Sequence, residues 1–196
     1  MSRRLLVALG AVAVVVVLVV GLSQTHTNTP APKANSFDLA AAQRSLAGAP
    51  APLAALHAQA NVLLPGTQDG FTARIKALKG RPVVVNKWAS WCPPCRGEFP
   101  TFQHASVKFG KQVAFVGLDS GDNDADATKF LKQFPLPYPS YVDRNARIAQ
   151  DLEIGKSYPT TMFYDATGKV QYIHQGPYAT EGALATDIQR YAVHPS

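Results

Sequence analysis

After Met1-Ser2-Arg3-Arg4 the chain is apolar from Leu5 to Leu22 without a single charge. A run of that length predicts a bilayer-spanning helix and exceeds the core of an ordinary cleaved signal peptide. Arginines ahead of it predict a cytoplasmic N-terminus, which places the rest of the chain on the extracytoplasmic side. We read 1–22 as a membrane anchor or signal segment and favour the uncleaved anchor. Gly21-Leu22-Ser23 offers only a weak cleavage context. Residues 23–36, polar and proline-containing, are expected to form a flexible tether.

The pattern then becomes helical. Asp38 to Leu46 predicts a short helix, and Gly48-Ala49-Pro50-Ala51-Pro52 breaks it. Leu53, Leu56, Ala60 and Leu63 fall on one face of a second helix that stops at Pro65-Gly66. A third segment runs from Phe71 to Leu78. Residues 37–80 are thus expected as a helical N-terminal extension packing beside a main domain at 81–196.

From Pro82 strands and helices alternate. Val83–Trp88 reads as a buried strand, followed by a helix from Cys92 to about Phe109 and a strand over Val113–Leu118. A polar loop covers Asp119 to Asp126, a helix Thr128–Phe134, and a proline-rich run Pro135–Pro139. A short helix is expected at Ala146–Leu152. Strands Thr160–Tyr164 and Val170–His174 flank the hairpin turn Asp165-Ala166-Thr167-Gly168-Lys169. A last amphipathic helix starts near Thr180 and turns Leu184, Ile188 and Tyr191 inward. This order predicts an α/β sandwich around a central mixed sheet.

Composition adds two exclusions. Apolar content of 46% and charged content of 16% fit a globular chain. The net charge of +6 includes Arg3, Arg4 and Lys33 in an acid-free N-terminus, leaving about +3 elsewhere. That is too little to argue for nucleic acid binding.

Only two cysteines occur, Cys92 and Cys95. A disulfide between them closes too small a loop to contribute much chain-entropy stabilisation, so their presence points to reactivity. With Cys92 as N-cap, Pro93 takes the first helical position, where its missing N–H costs nothing. The positive end of the helix favours a Cys92 thiolate, making Cys92 the nucleophile. Cys95, on the first turn and expected to be more buried, is the resolving thiol. Pro93 and Pro94 remove two backbone donors, which limits stabilisation of that thiolate and predicts a fairly reducing couple. Structural zinc needs four ligands, and His57, His104, His174 and His194 show no metal-ligand spacing.

The run W-A-S-W-C-P-P-C-R-G-E-F-P after an apolar strand resembles the thioredoxin superfamily. Within it, the similarity is to the extracytoplasmic branch of TlpA-like, ResA-like and cytochrome c maturation (CcmG/DsbE-like) proteins, over roughly Pro82 to Ala192. Pro100 falls where that fold carries a helix-kinking proline. Tyr158-Pro159-Thr160 resembles the loop whose cis proline packs against the disulfide, and the resemblance implies that Tyr158 offers its backbone to an extended substrate. Trp91, flanking the motif, is expected at the site rim with Pro93 and Pro94. Cytosolic thioredoxins bury an Asp–Lys pair under the cysteines. The matching positions here are Asn86 and Phe115, so the internal base is expected to be missing. Glu98 and Glu153 are the candidate substitutes. Lys87 is expected to point away from the dithiol, and Arg96 to shape the rim.

These readings predict a thiol–disulfide oxidoreductase that needs no cofactor and no metal. Its expected partners are protein dithiols or disulfides, apocytochrome c among them, and a membrane electron donor or acceptor. A peroxide-reducing redoxin and a copper- or metal-delivery module using the same cysteines are the alternatives.

Overall fold

The computed structural model describes residues 37–154 and 157–195. The expected anchor at Leu5–Leu22 and the tether lie outside them. Among the described residues no helix is long and apolar enough to cross a membrane.

The helices are Leu39–Leu46 (α1), Ala51–His57 (α2), Gln68–Ala77 (α3), Pro93–Phe109 (α4), Asp124–Gln133 (α5), Arg147–Asp151 (α6) and Glu181–Asp187 (α7). Wide π-type turns continue α7 over Ile188–Val193. The strands are Leu63–Leu64 (β1), Val83–Trp88 (β2), Ala114–Ser120 (β3), Ser140–Asp143 (β4), Thr160–Tyr164 (β5) and Val170–Gln175 (β6). They form one sheet in the order β1-β4-β3-β2-β5-β6. β1, β4, β3 and β2 run parallel to one another, while β5 is antiparallel to both β2 and β6. This is the expected mixed sheet with helices packed against it.

β2 is buried along its whole length, because strand alternation sends its side chains into two separate cores. Val84 and Trp88 join the core that holds both cysteines, Phe99, Phe102 and Phe130. Val83 and Val85 join the opposite core with Leu53, Leu56 and Phe71. Each fully buried Leu or Phe in such a core contributes about 1.5–3 kcal/mol relative to exposure.

Residues 37–80 enter both the sheet and that second core, so they are structurally continuous with the strands and helices after Pro82. Leu63, expected on a helix face, lies instead in β1, paired with Ser140. The cause is Asn61, which adopts a left-handed φ of 61°, a conformation Asn tolerates better than most residues. Its side chain donates to Leu131 O and accepts from Leu136 N–H. α2 ends at His57, and at Asn61 the chain turns into the sheet edge.

β4 is the other element absent from the sequence expectation. Three prolines precede it, yet Gly117 N–H donates to Pro139 O and Ser140–Asp143 pairs with Gly117–Ser120.

Candidate active site

Cys92 has an extended backbone (φ −94°, ψ 105°) at the N-cap of α4. Its Sγ accepts from Cys95 N–H at 3.1 Å. Pro93 and Pro94 fill the first turn, where missing N–H groups leave no helical bond unmade. Cys92 and Cys95 are joined as a disulfide. Cys95 is fully buried and Cys92 is 2% exposed, so in this oxidised form the two differ in accessibility by a small margin. Pro100 lies inside α4, as the resemblance implies.

The peptide bond Tyr158–Pro159 is cis. The β2–β5 ladder ends at Lys87 opposite Thr160, which leaves Tyr158 beyond the paired strand. The Tyr158 hydroxyl donates to Ser120 O at 3.0 Å. Its ring lies 4.9 Å from the Trp91 ring. Trp91 is 56% exposed, and its Nε1–H donates to Gly121 O at 2.9 Å. Ser90 fixes the chain between the tryptophans by donating its N–H and Oγ–H to Asp122.

Asn86 and Phe115 stand buried at the two strand positions, and of the two candidate substitute acids one is buried as well. Glu98, on α4 one turn after Cys95, is fully buried. Its Oε1 accepts from Asn86 Nδ2–H at 2.7 Å, and its Oε2 from Tyr178 N–H at 3.1 Å. Burial pushes its carboxyl up from 4.5 to about 8, against the opposing pull of those two hydrogen bonds. Asn86, opposite Gly117 on β3, thus anchors an acid supplied by the helix. Phe115 is opposite Val84, further along the strand. Glu153 is exposed at the end of α6 and takes no part in this cluster as Asn86 and Tyr178 define it.

Sequence reasoning missed several members of the site. Tyr178 supplies the second donor to Glu98, and its hydroxyl donates to Asp187 at 2.6 Å. Burial and the charge of Glu98 raise the Tyr138 hydroxyl well above its ordinary pKa. Asp119 is fully buried beside Trp88 on the dithiol side of the sheet. Burial, then the charge of Asp122, brings it up to about 8. Lys87 is also fully buried. It faces away from Asn86, and burial brings its amine down to about 8 while Asp143 pulls it up. The only clue to that burial was the valine at every other position of the same strand face. Arg96 lies over the rings of Phe130 and Phe134, at 5.1 Å from each.

The disulfide at the N-cap of α4, the cis-proline loop and the buried carboxyl of Glu98 all fall within the span of a known family. The Redoxin family profile matches residues 46–188. The chain belongs to the Redoxin family. Among curated relatives, thiol-disulfide oxidoreductase ResA of Bacillus cereus is 32% identical to this redoxin over 103 residues, 52% of this chain and 59% of that protein. Thioredoxin-like protein YneN of Bacillus subtilis is 30% identical over 113 residues, 56% of this chain and 65% of that protein. The redoxin thus spans less than two thirds of the length of these relatives.

Solved structures give a parallel result. A Chlorobium tepidum protein assigned as thiol:disulfide interchange protein DsbE is 32% identical, with a TM-score of 0.54 over 59% of this chain and 82% of its own. A secreted Mycobacterium tuberculosis disulfide oxidoreductase shares the fold at 23% identity, with a TM-score of 0.52 over 58% of this chain and 84% of its own. The family match begins within α1, consistent with an extension that is part of the domain. Membership of the ResA- and CcmG-like branch of the thioredoxin superfamily follows from these likenesses together.

Proposed function

We propose that this redoxin is a membrane-anchored, extracytoplasmic thiol–disulfide oxidoreductase that exchanges its Cys92–Cys95 couple with protein partners. The observation that carries this is the Cys92–Cys95 disulfide at the N-cap of α4, in a core against which Tyr158 of the cis-proline loop packs. Reduced Cys92 attacks one sulfur of a partner disulfide as thiolate, and the other partner sulfur leaves as thiolate and takes up a proton. Cys95, after losing its proton, attacks Cys92 Sγ and releases the partner's second thiol. Two electrons and two protons pass from the dithiol to the partner, and the enzyme is left oxidised.

In this scheme the ionised fraction of Glu98, which grows as pH approaches 8, takes up the Cys95 proton. It shares a helix face with Cys95 at a spacing of three residues. A carboxyl near pKa 8 is matched to a thiol of ordinary pKa about 8.5, the condition for efficient proton exchange. Tyr158 offers its backbone to the partner segment flanking the target cysteine. The membrane anchor rests on Leu5–Leu22 and the preceding arginines. Apocytochrome c and other exported disulfides are the substrates this placement favours, with a membrane dithiol donor regenerating the reduced form.

Equilibration of the purified redoxin with glutathione buffers, followed by reduction of insulin disulfides, tests the reading. The expected couple is more reducing than that of protein disulfide isomerase, about −180 mV, with insulin reduction abolished by Cys92→Ser. A more oxidising potential would contradict the reducing direction. Peroxide consumption without disulfide exchange would favour a peroxidase instead.

A further inference from the structure

We propose that Lys87 is a positioning residue whose buried ammonium, held against the Tyr158 ring, sets the loop that receives the partner next to Cys92. This rests on the dithiol-exchange reading above.

A charged side chain with no exposure, on a strand face otherwise made of Val83 and Val85, is costly unless its surroundings favour the charge. Two groups do so. Its Nζ lies 3.9 Å from the centroid of the Tyr158 ring, within cation–π range and shielded from water. Asp143 attracts it electrostatically. That carboxylate is itself fixed, accepting from Ser120 Oγ–H and from Ile148 and Ala149 N–H at the start of α6.

Tyr158 transmits the arrangement. Its hydroxyl is tied to Ser120 O, on the strand carrying the partner of Asp143. Its ring meets Trp91, which is tied in turn to Gly121 O and immediately precedes Cys92. A series of contacts therefore runs from Lys87 through Tyr158 to Trp91, with Asp143 acting on the lysine electrostatically. None of these groups forms or breaks a bond to sulfur, so Lys87 acts through Tyr158. An apolar residue would fill the same space but offer no attraction to the ring. The loop would then lose its fixed position for an extended polypeptide, while a small disulfide, which needs no loop, would react as before.

Lys87→Met in the otherwise intact protein tests the assignment, with Lys87→Gln as a second variant. The expected result is a folded enzyme whose KM for insulin rises about tenfold, the scale of losing a shielded cation–π contact. Its kcat and its rate with dithionitrobenzoate should stay within about twofold. Acrylamide quenching should also increase, and it reports Trp91 because Trp88 is fully buried.

Unchanged KM and quenching in the folded variants would overturn the proposal. Loss of folding in both would overturn it as well, making Lys87 a structural charge. If wild-type protein fails to reduce insulin, the dithiol reading has failed. Quenching then still decides whether Lys87 holds Tyr158 against Trp91.

Discussion

Replacing Glu98 by Gln should remove a pH dependence of stability that the wild-type protein cannot avoid. The Glu98 carboxyl is raised by burial from 4.5 to about 8. Between those values the folded protein holds a proton that the unfolded chain releases, so stability falls as pH rises through the window and is fully present below 4.5. At about 1.4 kcal/mol per pH unit the whole effect approaches about 5 kcal/mol, of which roughly 4 falls between pH 5 and pH 8. Gln cannot ionise. It presents one carbonyl to two donors, Asn86 Nδ2–H and Tyr178 N–H, a penalty that does not vary with pH. Urea unfolding of the oxidised proteins at pH 5, 6, 7 and 8 separates the two effects. The difference in unfolding free energy between wild type and Glu98→Gln should move by roughly 4 kcal/mol in favour of the variant across that range. Two curves that stay parallel would show that Glu98 does not carry the proton assigned to it, and its role toward Cys95 would fall too.

Lys87→Met has the opposite pH signature. Burial lowers the lysine from 10.5 to about 8, so the wild-type fold bears the cost of the charge below pH 8 and sheds it between pH 8 and 10.5. The variant should be more stable by up to about 3 kcal/mol at pH 7, with the gain vanishing above pH 10.5. Thermal melts at pH 7 and pH 10.5 check this, and destabilisation at pH 7 would refute it. Phe71→Ala should cost about 3–5 kcal/mol, since Phe71 is fully buried with Val83, Val85 and Ile148 and meets Tyr141 edge-on at 5.5 Å. A loss below about 1 kcal/mol by urea unfolding would mean that the N-terminal extension is dispensable to the core.

The dithiol turn was legible because its determinants are local. N-cap Cys92, Pro93 at the first helical position and the strand ahead of them all lie within a short stretch of chain. The start of α7 near Thr180 was legible too, and the structure caps it with the Thr180 hydroxyl accepting from Ala183 N–H. Glu98 was not, because its burial is decided by Asn86, twelve residues earlier, and by Tyr178, eighty residues later. In sequence it looks like any acid on the second turn of a helix. β1 and β4 were hidden by their mutual dependence. A two-residue strand and a four-residue strand behind three prolines have little intrinsic signal, and each is stable only because the sheet supplies its neighbour. Lys87 shows a different limit. Strand alternation gave its direction but not its burial, which depends on Tyr158 closing over it from the cis-proline loop.

Cys92 acts, on this account, as the nucleophile of a couple that exchanges with proteins. Trapping of mixed disulfides in cells tests that role most directly. Cys95→Ser leaves Cys92 able to attack but removes the group that resolves the product. Partners should accumulate on that variant, be released by reductant, and be absent from Cys92→Ser. Capture by Cys92→Ser with none by Cys95→Ser would reverse the assignment of the two thiols. Capture by neither would contradict exchange with protein partners altogether.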